Sequence, residues 1–510
     1  MKQYYLGIEF GSTRVKAVLI DGEHRIVKSG DYTWKSSLEN GVWTYHMEDV
    51  QTGLRTAIRN LGELPGAVSA MGISGMMHGY LAFDKNWNLL APFRTWQNTM
   101  TGEAAEQLTA EFGFNIPQRW SIAHLYQAVL NGEAHVKNIA HITTLAGYVH
   151  YLLTGENVLG VGEASGMFPI DSEALDYDAA MLEKFDALIA KYGFAWTARS
   201  VLPKVLAAGQ AAGALTQAGS TFLDGLLSAG IPFCPPEGDA GTGMTATNAV
   251  APRTGNVSAG TSIFAMVVLE KPLSKVYQEI DMVTTPSGKP VAMVHCNNCT
   301  NDMNAWVSLL GETAKLFGAE VSTGELFTKL YQKSLEGDAD CSGVLTYNYM
   351  AGEGITHLDE GRPMVVRKPE SSFTLANFLR SQLYATMSTL KLGMDILAEE
   401  HVAIDSLTGH GGLFKTPVVG QKYMAAACRA PVTCMESAGE GGPYGMALLA
   451  SYLVQKQAGQ TLEQYLETEI FADVKRTTLA PDPEDAAGFD RYLGWYRSAL
   501  AAETAAVKAF

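Results

Sequence analysis

Three short stretches carry side chains arranged for chemistry. In "GIEFGSTRVK" (7–16), Glu9 stands just before a turn of Gly11, Ser12 and Thr13, and Lys16 just after it. A plain hairpin favours Asn-Gly or Asp-Gly at its tip. Bare N–H groups and hydroxyls between opposite charges instead suit an oxyanion passing close to the backbone. In "PPEGDAGTGMTATNAV" (235–250), Asp239 sits on a glycine-rich turn ahead of a small-residue helical run over Gly241–Val250. A carboxylate there can accept a proton from a hydroxyl nucleophile, or it can simply cap the helix. In "GISGMMHGYLAFD" (72–84), Met77 and His78 lie on a glycine-flanked loop after a strand, and a lone histidine there is by itself read as structural. "FRTWQNTMTGE" (93–103) adds Arg94, Trp96, Gln97 and Asn98, a polar and aromatic set of the kind that recognises sugars.

The elements that must hold these residues alternate. Strand-like runs at Tyr4–Phe10, Val15–Ile20, Arg25–Tyr32 and Ala70–Ser74 are interleaved with helical patterns, including 47–64 with Glu48 and Asp49 near its start, and Phe373–Glu399. That alternation predicts an α/β architecture. Residues 255–269, "GNVSAGTSIFAMVVL", repeat the opening hairpin about half a chain later, with Gly260, Thr261 and Ser262 at the tip. The echo predicts two related halves facing each other, their turns holding one polyphosphate from opposite sides. A third glycine cluster follows the order strand Val402–Leu407, loop Gly409–Gly412, helix Pro417–Cys428, strand Val432–Met435. This is a βαβ unit with glycines at the carboxyl end of a strand, where open α/β sheets bind ligands. Its spacing is neither G-x-G-x-x-G nor the P-loop pattern. "GVGEASG" (160–166) looks like a dinucleotide loop, but "MFPIDSE" follows where a helix should begin. "NYMAGEG" (348–354) and "ESAGEGGPYGMALLA" (436–450) each place a carboxylate among glycines.

Bulk properties narrow the classes. At 510 residues the chain is long enough for two or three domains, and 47% hydrophobic content with 51 glycines describes a folded protein with many tight turns. A formal charge of −16 argues against a nucleic-acid surface and gives no reason to expect an anionic membrane. The N-terminus shows no signal-peptide pattern, and no run of 18 uncharged apolar residues occurs. Cysteines at 234, 296, 299, 341, 428 and 434 make no disulfide scaffold in so long a chain, so reduced thiols and a cytoplasmic setting are expected. "HCNNC" (295–299) lacks a second pair at zinc spacing and is read as buried cysteines.

Taken in order, these segments resemble the FGGY carbohydrate kinases. "GIEFGSTRVK" is similar to the family's first phosphate motif, "SGMMHG" to its "SGQMHG", "TWQN" to "LWND", and "YLLTGE" with "EASGMFPID" to "TGE…DASGT". "EGDAGTG" is similar to "GGDN-x-x-G", "SAGTS" to "SLGTS", "MAGE" to the "SGE" of "YLSGERTP", "TGHGG" to the "GGG" adenosine loop, and "EGGPYGMALLA" to "EGAALGAALLA". The set runs from residue 7 to 450.

The resemblance implies two ribonuclease H-like domains of the actin/hexokinase/Hsp70-like ATPase fold, residues 1–248 and 249–510, closing over a cleft that holds MgATP and a sugar. It implies Asp239 as general base, and as a metal-site residue with Glu9, which replaces the usual aspartate. Gly11, Ser12, Thr13, Lys16, Gly260, Thr261 and Ser262 would face the phosphates, and Gly411 and Gly412 the adenosine. Met77, His78, Trp96, Asn98 and Asp239 would belong to the sugar site. Departures fall mostly there: Met76 for glutamine, Asn98 for aspartate, Met100 for arginine, and Ala240 for asparagine. The expected substrate is a ketopentose, D-xylulose or L-ribulose. A hexonate or 6-deoxyketose kinase, or a catalytically silent nucleotide-binding homologue, are the alternatives. Glycerol fits less well because the "RE" pair of glycerol kinases is missing. The C-terminal segment is expected to form a helix packed by Tyr492, Trp495 and Tyr496, with a homodimer interface as the alternative.

Overall fold

The computed structural model describes residues 3–436 and 441–509. The glycine-bracketed Glu440 therefore lies outside the described residues. Contacts divide the chain into two compact units. The first comprises Met1–Pro252 together with two later segments, Glu270–Val291 and Glu440–Val474. The second comprises Arg253–Leu269, Ala292–Gly439 and Lys475–Phe510.

The main sheet of the first unit comprises β1 (Tyr4–Phe10), β2 (Arg14–Asp21), β3 (Ile26–Thr33), β4 (Val68–Gly75) and β5 (Glu237–Gly238), in order β5-β4-β1-β2-β3. β1–β2–β3 is an antiparallel meander, and β4 and β5 join parallel on the far side of β1. β1 is central and covered on both faces, so Tyr5, Leu6, Ile8 and Phe10 are all fully buried and the strand is apolar along its length apart from Glu9. The helix Met47–Arg59 begins where Glu48 and Asp49 favour a helix start, and it lies so close to β3 that a β-carbon on Gly30 would stand 2.3 Å from the Ala57 carbonyl oxygen.

The second large sheet has seven strands, and those centred on the second unit are β6 (Thr254–Ala259), β7 (Ile263–Val268), β8 (Pro290–Cys296), β9 (Ser406–Gly411), β10 (Val432–Met435) and β11 (Arg476–Leu479), in order β8-β7-β6-β9-β10-β11. A hairpin strand pair at the centre, with parallel strands on one side, repeats the plan of the first unit. The expected echo is therefore real at the level of topology.

Two local expectations change. The glycines of "TGHGG" were expected in a loop after a strand over Val402–Leu407; β9 instead starts at Ser406 and runs through Gly409 to Gly411. The reason is pairing: Ala259 sits opposite Gly411, whose φ is 99° and whose β-carbon would lie 2.3 Å from the Ala259 carbonyl oxygen. The segment Phe373–Glu399, expected as a helix with a buried face, forms the helix Leu375–Glu399, which is buried almost all round as a core helix. At the C-terminus the helix Pro483–Ala509 buries Tyr492 and Tyr496 within the second unit. Among the described residues no helix is long and apolar enough to cross a membrane.

Candidate active site

The first hairpin tip is held by aromatic side chains. Trp34 donates from Nε1 to the Gly11 carbonyl (2.7 Å) and from its backbone N–H to the Thr13 carbonyl (3.1 Å). The Tyr45 hydroxyl donates to the Ser12 carbonyl at 2.6 Å, and the Trp34 and Tyr45 rings lie 4.2 Å apart. With its carbonyls drawn into the protein, the tip is fixed as a turn of small residues. At its neck Glu9 pairs across the strands with Lys16, one step in from the closing pair Phe10–Val15. Glu9 Oε2 is buried with no hydrogen bond among the described residues. Burial, foremost, and then the nearby Asp239 charge push its carboxyl up to about 8, against the opposing pull of Lys16.

Asp239 is the first residue of the helix Asp239–Ala246, one position inside the Gly238 cap. The helix starts two residues earlier and ends four residues earlier than expected, and Asp239 does not cap it as an N-cap would. Its Oδ1 accepts from its neighbour Ala240 N–H (3.0 Å) and from Met77 N–H (3.1 Å), which ties the strand end to the histidine loop. The side chain presents surface to solvent, yet protein crowds it closely enough that desolvation raises its pKa despite those two donors. Ser74 and Thr242 hydroxyls meet at 3.2 Å beneath it, joining β4 to the same helix.

The histidine loop is held with equal firmness. His78 is buried, adopts φ 70°, bonds through Nδ1 to the Gly166 carbonyl (3.0 Å) and stacks on Trp120. A left-handed non-glycine residue is strained by about 1–3 kcal/mol and persists where its surroundings over-determine it. A β-carbon at Gly166 would strike both His78 Nδ1 and Met77 Cε at 2.8 Å, so this loop and the 160–166 segment are packed against each other. Trp96 is exposed, and its Nε1 donates to Ser12 Oγ at 3.2 Å, linking it to the first tip. Asn98 is a different case. Its Oδ1 accepts from Trp43 N–H, and its Nδ2 donates to the Trp43 and Thr95 carbonyls. Buried and fully engaged, it shapes the wall instead of offering a free amide. Arg94 is likewise buried and paired with Glu133.

Two glutamates behind Asp239 escaped the sequence reading. Glu163 and Glu237 are both fully buried, and Glu163 N–H donates to Glu237 Oε2 at 2.9 Å. Burial lifts Glu237 to about 8 and Glu163 well above its usual range. Their signal was present in "EASGM" and "PEGD", where glutamates stand among small residues that leave room for them. A β-carbon on Gly160 would meet Glu237 Oε1 at 2.1 Å.

In the second unit the tip Gly260–Ser262 is held by backbone amides. Cys299 N–H donates to the Thr261 carbonyl (3.0 Å), and Thr300 gives both its N–H (3.1 Å) and its hydroxyl (2.7 Å) to the Gly260 carbonyl. That 297–300 turn is in turn clamped by Glu353. Its Oε2 accepts from Asn297 N–H (3.0 Å), Asn298 N–H (3.3 Å) and Asn298 Nδ2 (3.1 Å). Burial raises Glu353 to about 7, with the Asn298 donors opposing. Gly411 lies directly against this hairpin at Ala259, and a β-carbon on the following Gly412 would come within 3.9 Å of the same carbonyl oxygen. Cys296 and Cys299 are buried free thiols on the turn's flanks. Among the described residues no group of three His, Cys, Asp or Glu side chains could hold a metal ion.

Comparison with known proteins accounts for this arrangement. Residues 4–245 match the family model "FGGY family of carbohydrate kinases, N-terminal domain", and residues 255–454 match its C-terminal domain. The chain is 23% identical over 461 residues to the xylulose kinase of Haemophilus influenzae, covering 86% of this chain and 89% of that one. Among solved structures, a "xyloylose kinase" from Brucella ovis superposes with a TM-score of 0.79 at 20% identity, covering 98% of this chain and 99% of that one. A gluconate kinase from Lactobacillus acidophilus does so with a TM-score of 0.80 at 17% identity, covering 98% of each. With both domain models matched along nearly the whole chain, and the twofold fold they describe present, the chain belongs to the FGGY family of carbohydrate kinases.

Proposed function

We propose that the protein transfers the γ-phosphoryl group of ATP to a hydroxyl of a ketopentose, D-xylulose or L-ribulose, with Asp239 as general base. The observation that carries this reading is Asp239 itself. Its carboxylate is aimed by Met77 and Ala240 N–H, stands beside the His78 loop, and is raised in proton affinity by its surroundings. Both bonds fall on Oδ1, so Oδ2 is assigned to the substrate proton. As the sugar oxygen forms its bond to phosphorus, Asp239 takes that proton and ADP departs with the electrons of the broken P–O bond. A base with a raised pKa binds the proton more readily than an ordinary aspartate.

The residues divide by task. We assign residues 1–248 the sugar site and first phosphate hairpin, and residues 249–510 the second hairpin and adenosine loop. Gly11, Ser12, Thr13 and Lys16 bind phosphate from the first tip, and Gly260, Thr261 and Ser262 from the second. Gly411 and Gly412 leave room for adenosine. Met77, His78 and Trp96 line the sugar, and Asn98 fixes the strand and turn beneath it.

Magnesium, when bound, neutralises phosphate charge during transfer. Glu9 and Asp239 would hold it, chiefly through water and substrate phosphates, as this cation uses only one or two carboxylates. The fit lies in the closeness of the two carboxyls: burial first, and then the Asp239 charge, raises Glu9, and a cation between them relieves that repulsion. The reduced cysteines favour a cytoplasmic setting.

A coupled ADP-release assay over ketopentoses, 6-deoxyketoses, polyols and hexonates tests the reading. Preference for D-xylulose or L-ribulose is expected. A sugar acid is the second candidate, because the gluconate kinase superposes as well as the xylulose kinase does. A clear preference for a hexonate would overturn the ketopentose assignment, and sugar-independent ATP turnover would overturn the kinase reading.

A further inference from the structure

Two adjacent glycines open the helix Gly442–Gln455, and they are there for opposite reasons. Gly441 adopts φ 60°, a conformation that favours glycine, and a β-carbon on it would meet nothing within 4 Å. Gly442 is not among the positive-φ residues, so its backbone would accept any side chain. A β-carbon there, however, would stand 1.4 Å from Glu9 Oε2, 2.6 Å from Glu9 Cδ and 3.0 Å from Thr242 Oγ1. The glycine is thus explained by the glutamate it faces.

Neither backbone can step aside. Along the same contact, a β-carbon on Gly7 of β1 would lie 2.0 Å from the Pro443 carbonyl oxygen and 2.4 Å from Ala447 N. On the helix's other flank, a β-carbon on Gly445 would lie 1.9 Å from the Thr242 carbonyl oxygen. β1, the helix Asp239–Ala246 and the helix Gly442–Gln455 are therefore in direct backbone contact, and close-packed interiors do not absorb an extra carbon atom by drifting. Glu9's other oxygen lies on the tip side: a β-carbon on Gly11 would be 3.7 Å from Oε1.

We propose that Gly442 is a positioning residue for Glu9: the absent β-carbon admits Oε2 to the helix start and leaves Oε1 turned toward the tip at Gly11. The inference rests on the reading of the Glu9 hairpin as part of the phosphoryl-transfer site. It gives the longer carboxylate a reason that the sequence alone lacked. The additional methylene is housed against the helix, so Glu9 works at the hairpin through a single oxygen.

The test is a cycle of G442A, E9D and E9D/G442A, each measured for thermal unfolding and for kcat and KM with ATP and sugar. G442A is expected to lower Tm and to reduce kcat by about 10- to 100-fold, the effect of displacing a positioned group by an ångström. In E9D the shorter side chain withdraws from residue 442. E9D/G442A is therefore expected to match E9D within about threefold, with its Tm restored toward that of E9D. Should G442A fail to accumulate as folded protein, recovery of folded protein in E9D/G442A is the supporting result. Wild-type behaviour of G442A, or a double variant no better than G442A, overturns the proposal. The Tm coupling stands independently of turnover: coupling without sugar-dependent ATP consumption would sink the kinase mechanism while leaving the Glu9–Gly442 contact intact.

Discussion

The two hairpins occupy equivalent places in their sheets but are built differently. In the first, the pair one step from the tip is Glu9 and Lys16; in the second, the same position holds Ser258 and Phe264. The first tip is fixed by the Trp34 and Tyr45 side chains, whereas the second is fixed by the backbone of a neighbouring turn that a single buried carboxylate, Glu353, holds in shape. A charged neck beside Asp239 suits a hairpin that works where charge changes during reaction. A neutral neck on an amide-pinned tip suits one that binds a constant negative charge through N–H and hydroxyl groups. The duplicated topology thus carries two differently built tips.

That asymmetry can be broken at several strengths. Asp239→Asn should cost the most: kcat falls by about 10²–10⁴ while nucleotide affinity stays near wild type, as measured by steady-state kinetics and ADP titration. Equal loss of nucleotide affinity would mean that the first unit's carboxylate serves binding as much as chemistry. Glu353→Ala should come next, raising KM for ATP by about 10- to 100-fold through loss of the three hydrogen bonds its Oε2 accepts, with the smaller effect on kcat. Glu353→Gln keeps an acceptor oxygen and should recover most of that loss. A kcat defect larger than the KM defect would erase the distinction between the hairpins. Thr13→Ala and Thr261→Ala remove one tip hydroxyl each and should each raise KM for ATP by about 2- to 10-fold.

The smallest effect is on stability. Glu353 is raised from 4.5 to about 7, so it holds a proton in the folded chain that the unfolded chain releases. Its stabilising contribution is complete below about 4.5 and is lost as pH rises through about 7. Glu353→Gln should therefore flatten the decline of Tm across that window. In catalysis the raised pKa of Asp239 should place the acid limb of kcat/KM above the ordinary aspartate range of about 4. A limb at or below that value would remove Asp239 from the base role.

Much of this was legible in the residues. The strands Tyr4–Phe10 and Val432–Met435 stand where their β-prone runs place them, and the first, buried along nearly its whole length, needs little context. The two hairpin tips announced themselves by glycine and hydroxyls at a strand reversal. What could not be read was what holds them. Trp34, Tyr45, Asn298 and Glu353 act across gaps of 21 to 55 residues, and no local pattern encodes such a partner. The partners of Asn98 were hidden for the same reason: a polar side chain in an aromatic-rich segment gives no local sign of its bonds to Trp43 and Thr95. The Glu163–Glu237 pair was hidden because buried carboxyls look like surface ones in a sequence.

The helix Gly442–Gln455 also bears on how the chain is made. It belongs to the first unit and lies on β1, the strand that opens the sequence. The covering for that strand's face is therefore synthesised only after most of the second unit's chain has emerged. Contacts of such sequence separation carry a loop-closure cost and slow folding. The N-terminal unit cannot be completed first, as domains synthesised early commonly are. A nascent chain ending before Gly442 would expose the glycine surface of β1, and chaperone capture or proteolysis of staged truncations should change abruptly once residues 442–455 are included.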